Sequence, residues 1–217
     1  MIVVVAGEDD AESARLADRP GVVRVTPCDL SSCGWAAGIG CGRARFVAGG
    51  QPMATRAIRA VLVRLPVVRA GDLAHFTPGD RDYAAAEMTA FLAFWLTTLP
   101  VRVVNRPSPT LLLGPGWSPA EWIARSAALG LPTAEVVETA AGPAGPPPVL
   151  TWSTVVGGRA FGGEPEAGRH ALALARYARV DLLGVGFDGA QVAAVTLRPS
   201  LYEPDIVEAA FALLEAA

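Results

Sequence analysis

Four short apolar runs, residues 2–6, 22–25, 60–64 and 101–104, have the length and β-branched character of buried strands. The turn Gly7-Glu8-Asp9-Asp10 leads from the first run into a helix over 11–17, which Pro20-Gly21 stops. Strand, helix, strand in that order predicts a βαβ-like opening and hence a parallel sheet. Residues 45–48 and the segment after Gly49-Gly50 read as a hairpin, whereas the Gly- and Cys-rich stretch 27–42 reads as irregular loop.

The longest periodic segment predicts a helix over 80–98. Tyr83, Glu87, Phe91, Phe94 and Thr98 form one stripe, and Met88, Leu92, Trp95 and Leu99 a second beside it. A helix apolar over most of its girth is expected to be covered on more than one side. Glu87 falls inside the apolar band, where a carboxylate costs several kcal/mol unless a cation or donors meet it. Arg64, at the end of the run 60–64, is its expected partner. Asp80 or Asp82 is the expected N-terminal cap.

Farther on, Ser118-Pro119-Ala120-Glu121 is a capping box with Pro at the first helical position, opening a helix that runs to Leu129 and stops at Gly130. Residues 139–148, TAAGPAGPPP, have the composition of a semi-rigid connector. Beyond it, Gly157-Gly158 signals a hairpin between 149–156 and 159–161. A helix over 167–178, strands near 182–187 and 191–197 joined at Asp188-Gly189, and a last helix over 204–216 complete the chain. The expected fold is α/β: a parallel-sheet domain over 1–138, the connector 139–148, and a small α+β domain over 149–217.

Composition narrows the chemistry. The chain has 217 residues, 52% hydrophobic and 18% charged, with a net charge of -3, a balance that disfavours binding nucleic acid by phosphate neutralisation. All 18 basic residues are Arg. Without lysine, the chain has no Schiff-base lysine, P-loop lysine or lysine phosphate clamp. The opening run lacks a basic n-region and meets acidic residues at once, which fits a first strand and not a signal peptide. The helix around Phe91 has too few consecutive apolar residues to span a bilayer. The expectation is a soluble cytoplasmic protein without nucleic-acid or membrane partners. Cys28, Cys33 and Cys41 are spaced C-x4-C-x7-C, which matches no common zinc pattern, so they read as free thiols. Gly38-Ile39-Gly40 lacks the third glycine and the helix of a dinucleotide fingerprint.

In an open parallel sheet the carboxyl ends of the strands face the ligand crevice, which makes Arg64, Asn105 and Arg106 candidates for an anionic ligand. Tyr83, Glu87 and Trp117 join them as candidate lining residues.

Arg64 after an apolar strand, Tyr83 and Glu87 on the next helix, Asn105-Arg106-Pro107, and a helix ending in Ala-Leu-Gly-Leu-Pro-Thr at 128–133 together resemble the N-terminal domain of ATP-grasp ligases. The nearest subgroup in appearance includes ribosomal-protein glutamate ligases and peptide macrocyclases of natural-product pathways. Residues 154–161, TVVGGRAF, are similar to the family's VVG-x-x-x-F hairpin, and Leu183-Gly184-Val185-Gly186-Phe187 to its GVDF strand. The resemblance also exposes departures. The family's nucleotide-gripping subdomain would fall between Thr133 and Val149, where this chain has the Pro/Gly connector. The E-x-N-P metal ligands align with Thr196-Leu197-Arg198-Pro199, and the Asp of GVDF with Gly186.

The resemblance, with these departures, implies a truncated, catalytically degenerate ATP-grasp-like protein with no cofactor and no metal. It would bind an anionic small molecule, a peptide, or a full-length ATP-grasp partner at a junction lined by Arg64, Tyr83, Glu87, Asn105, Arg106, Trp117 and Arg198. A homo-oligomer is compatible with this. The alternative is a small ATP-independent enzyme using Glu87, Asp80, Asp82 or His75 as acid/base, with arginines holding an anion.

Overall fold

The computed structural model of the chain describes residues 1–37, 44–135 and 149–216. Two compact units divide it, Met1–Gly116 with Phe211–Ala217, and Trp117–Ala210. The expected connector at 139–148, the Gly38-Ile39-Gly40 segment and Cys41 lie outside the described residues.

The first unit is built on a four-stranded parallel sheet: β1 (Ile2–Val5), β2 (Val22–Val25), β5 (Ala60–Val63) and β6 (Arg102–Val104), in the order β2-β1-β5-β6. Helix α1 (Ala11–Ala17) supplies the first crossover. All four residues of β1 and of β5 are buried, so unbroken apolar runs are what these positions require. Pro27–Leu30, expected as loop, form a single turn, α2, with a box in which the Thr26 backbone N–H donates to Asp29 Oδ2 at 3.1 Å. The Thr-Pro-x-Asp spacing carried that signal, with the acid one carbon shorter than usual. Strands β3 (Arg45–Ala48) and β4 (Gln51–Ala54) make the expected hairpin.

Helix α3 (Arg81–Thr98) is covered on one side only by the described residues. Ala85, Leu92, Trp95 and Leu96 are buried, and Trp95 sits in an aromatic cluster with Trp35 and Phe46, its ring centroids 5.2 and 5.8 Å from theirs. Phe91 joins through Trp35 at 5.2 Å. The opposite arc stands open, with Tyr83 71% and Phe94 44% exposed and Glu87 exposed between them. The expected coverage on several sides is therefore not achieved among the described residues. Asp80 occupies the N-cap position but makes no capping hydrogen bond. The reason is local: it ends a 3-10 turn, Pro78–Asp80, and its φ of -99° and ψ of -10° are already helical, whereas a capping side chain needs extended backbone.

The second unit opens with α4 (Pro119–Ala128). Its box is formed as expected: Ser118 N–H donates to Glu121 Oε2 at 2.7 Å, and Glu121 N–H to Ser118 Oγ at 3.2 Å. Gly130, at φ +74°, ends it in a conformation other residues avoid. An antiparallel sheet follows, β7 (Thr151–Val156), β8 (Arg159–Phe161), β9 (Leu182–Asp188) and β10 (Gln191–Thr196), ordered β10-β9-β7-β8. Helix α5 (Pro165–Ala178) packs on one sheet face, where Gly168 approaches Ala160 so closely that an added Cβ would lie 3.3 Å from the Ala160 methyl. The residues of helix α6 (Pro204–Glu215) divide between the two units, those from Phe211 onward belonging to the first. Among the described residues no helix is long and apolar enough to cross a membrane.

Candidate functional site

At the carboxyl ends of β1 and β5 the first unit buries a three-residue charge cluster. Arg64 Nε donates to Asp10 Oδ2 at 2.8 Å, and its Nη2 to Glu12 Oε2 at 2.8 Å. Arg64 is 3% exposed. Asp10 also caps α1, accepting from Ser13 N–H at 3.1 Å, so one carboxylate joins helix start to strand end. The expected Arg64–Glu87 pair is thus replaced. Glu87 points to solvent on α3, while the acids that meet the guanidinium come from the turn after β1. Their signal was present in Asp10 and Glu12 bracketing the start of α1, immediately after a buried strand. Two carboxylates thus already occupy the guanidinium, one at Nε and one at Nη2.

The other candidates of this unit scatter. Asn105 is buried after β6 at 3% exposure, whereas Arg106 is exposed and its Nη2 donates to the Val101 carbonyl at 3.1 Å. Tyr83 and Glu87 stand on the open arc of α3. Asp82 lines a groove of about 560 Å³ beside the helix, with Ala86, Ala90 and Ala93 along one wall and Arg69 and Pro109 on the other. Asp80 and His75 are exposed outside that lining, His75 Nε2 lying 2.9 Å from Ser31 Oγ. Among the described residues no cluster of three or more His, Cys, Asp or Glu side chains could hold a metal ion.

In the second unit Trp117 belongs to an aromatic and cationic stack. Its ring centroid lies 4.6 Å from that of Trp122 and 6.0 Å from that of Tyr177, and the Arg125 guanidinium lies 4.0 Å from its centroid. Arg125 Nη1 also donates to Tyr177 Oη at 3.4 Å. Trp122, Arg125 and Tyr177 escaped the sequence argument, although the i, i+3 spacing of the first two places them together on α4. Arg198, exposed just past β10, donates its backbone N–H to Thr196 Oγ1 at 3.1 Å.

Strand β9 carries the other distinctive geometry. The Trp152 indole lies over the glycine pair Gly184 and Gly186. A Cβ added at Gly186 would lie 2.9 Å from Leu150 Cδ1 and 3.2 Å from both Trp152 Cη2 and Cζ2, and one at Gly184 would lie 2.8 Å from Thr196 Cγ2. Trp152 remains 43% exposed.

Two units, one on a parallel sheet and one on an antiparallel sheet, match solved structures over almost the whole chain. The fold resembles that of ATP-grasp ligases. The macrocyclase MdnC of Microcystis aeruginosa MRC, bound with precursor peptide MdnA, superimposes with a TM-score of 0.68 at 12% identity, spanning 100% of both chains. The ATP-grasp ligase PsnB, complexed with minimal precursor, gives 0.67 at 12% identity over 99% of this chain and 98% of its own. A RiPP-associated ATP-grasp ligase of Chryseobacterium gregarium, in complex with ADP and a leader and core peptide, gives 0.59 at 10% identity over 99% and 95%. No family model matches the sequence, and no curated protein does.

Proposed function

We propose that this chain is a catalytically degenerate ATP-grasp-like protein that binds a peptide or another carboxylate-bearing ligand without running ATP-dependent ligation. The observation that carries this reading is the packing at Gly186. Where the resembled GVDF strand has an acid, this chain has a glycine whose Cβ position is closed off by Leu150 and Trp152. Magnesium takes carboxylate oxygens beside substrate phosphates. The residues aligned with the family's E-x-N-P metal ligands begin at Thr196 and include Arg198, which supply no carboxylate and one cation, and they do not fit the ion.

The absence of lysine from the sequence agrees, since an ammonium point charge is a recurrent phosphate ligand. So does the Pro/Gly composition of residues 139–148, where the resemblance would put the nucleotide-gripping subdomain. Peptide as the ligand class draws support from the neighbours, since MdnC, PsnB and the Chryseobacterium ligase were each solved with a precursor or leader peptide. Of the arginines the sequence argument put forward, Arg106 and Arg198 are exposed, each in its own unit, and each is a candidate to hold a carboxylate.

Calorimetry with ATP and magnesium tests the first half of the proposal. No magnesium-dependent heat is expected, and a dissociation constant in the micromolar range, roughly -8 kcal/mol, would overturn it. Titration with a short acidic peptide, followed by tryptophan fluorescence, tests the second half. Binding that weakens in Arg106→Ala or Arg198→Ala, with circular dichroism unchanged, supports it. Binding indifferent to both substitutions, or no binding, refutes it.

A further inference from the structure

The groove beside α3 holds two opposite charges that leave each other unpaired. Ala86, Ala90 and Ala93 form its helical wall, and Val67, Pro109 and Leu112, from the loops that follow β5 and β6, line it with them. Its hydroxyls are engaged within the protein: Thr89 Oγ1 accepts from the Val68 N–H at 2.9 Å and donates to the Ala85 carbonyl at 2.8 Å, and Ser108 Oγ accepts from the Leu111 N–H at 3.2 Å. Arg69 and Asp82 supply the charge. Both are exposed, and among the described residues neither makes an ion pair, with the other or with a third group. The neighbouring charges are engaged elsewhere, Arg81 by the Ala74 and Phe76 carbonyls at 2.7 and 3.1 Å and Asp72 by the Arg69 backbone N–H at 2.8 Å.

The course of the chain brings both charges toward one end of the groove. Val68 is held beside Thr89, in the middle of α3, and the segment after it turns back along the helix until Arg81 reaches the Ala74 and Phe76 carbonyls. Arg69 follows Val68 on that return, and Asp82 stands on the first turn of the helix, about 10 Å along the axis from Thr89. The alanines at 86, 90 and 93 carry the groove onward from there. We propose that this groove binds a free α-amino acid with a large apolar side chain, its ammonium on Asp82, its carboxylate on Arg69 and its side chain along the alanines. Charge complementarity decides the occupant. An α-amino acid carries both charges on one carbon and gives each ion a charge-assisted hydrogen bond, whereas a peptide separates its termini by about 3.5 Å for every residue. An uncharged apolar ligand would cover both ions and pair neither, which is costly. The hollow of about 560 Å³ lies within the range of small-molecule sites, about 300–1,000 Å³. This site is separate from Arg106 and Arg198, and it stands or falls independently of the ligand proposed for them.

Isothermal titration of the full chain with phenylalanine tests this. A dissociation constant on the order of 1 mM or below is expected for a ligand of about a dozen heavy atoms. N-acetylphenylalanine, which lacks the ammonium, and phenylalaninamide, which lacks the carboxylate, should each bind about tenfold more weakly. Variants assign the two charges. In Asp82→Asn, phenylalanine should fall to the level of its N-acetyl derivative while that derivative weakens no further, and Arg69→Gln should do the same for phenylalanine and its amide. Asp82 also sits where an acid favours the helix dipole, but a role confined to the helix would shift the melting midpoint and leave this discrimination intact. Ala90→Leu, at an exposed position, should abolish binding, and Arg106→Ala and Arg198→Ala should leave it unchanged. No saturable binding below about 10 mM, equal affinity for the free and blocked forms, tighter binding of a tripeptide with a central phenylalanine, or binding indifferent to Asp82→Asn would each overturn the proposal.

Discussion

Replacing Arg64 by Met removes the cation from a cluster in which Asp10 and Glu12 are both withdrawn from solvent, at side-chain exposures of 5% and 14%. Breaking a buried pair from one side typically costs about 3–5 kcal/mol, because the remaining charge loses its partner and regains no water. Both carboxylates lose the same cation here, and one of them also caps the first turn of α1, so that range applies. For a chain of this size a loss of 1 kcal/mol lowers the melting midpoint by roughly 2–4 °C, which makes the expected drop on the order of 10 °C or more. Glu87→Gln is the control. That side chain is exposed, and surface changes away from special features stay within about 0.5 kcal/mol. The assay is urea denaturation of Arg64→Met, Glu87→Gln and their combination, with Asp10→Asn/Glu12→Gln/Arg64→Met as a rescue that removes all three charges. The triple variant should recover part of the loss, since an asparagine at position 10 can still accept from the Ser13 N–H and cap α1. A loss under about 1 kcal/mol for Arg64→Met, or a coupling between positions 64 and 87 above about 0.5 kcal/mol, would refute the placement of the cluster.

Gly186→Ala should destabilise by about 1–3 kcal/mol, as overpacking does, and Trp152→Ala in the same chain should relieve that cost, measured as a double-mutant cycle by denaturation. Ser118→Ala should cost about 1 kcal/mol through loss of the α4 cap. Glu121 is held below its ordinary value of 4.5, first by the Ser118 backbone N–H, then by the Ser118 hydroxyl and Arg125. Its contribution is therefore present above the ordinary carboxylate range and lost as pH falls through the lowered value, so Glu121→Gln should flatten the acid side of a melting-midpoint profile taken between about pH 7 and 3. An unchanged profile would count against the box.

Elements whose reasons are local were legible from residue order. Strands such as residues 60–63 are buried on both faces and read as unbroken apolar runs, and the box at Ser118 and Glu121 is complete within four residues. Pairings between distant segments were not. Arg64 lies 54 residues from Asp10 and 52 from Glu12, and nothing in the spacing of either segment says that the turn after β1 meets the end of β5. A parallel sheet makes that juxtaposition through its register, Val5 opposite Val63, which is known only once the strands are ordered. The choice of Glu87 rested on its place in an apolar band. The band is real, but it is wide enough to leave an uncovered arc, and the carboxylate lies there.

That uncovered arc and the Trp152 shelf bear on each other as tests of one idea, that apolar surface at an unusual place marks something lost or something absent. At Gly186 the aromatic ring fills a position that an acid would need, and the glycine is required by the ring: restoring a carboxylate there demands moving Trp152 and Leu150 as well. A single substitution back to Asp therefore meets a packing cost before any ion can be bound. On α3 the case is reversed, because among the described residues no neighbour fills the space beside Ala86 and Ala90, and Tyr83 and Phe94 gain nothing by their exposure to water. The closed position at Gly186 is what the proposed loss of nucleotide chemistry requires, whereas the rings on α3 are surface that no described residue covers.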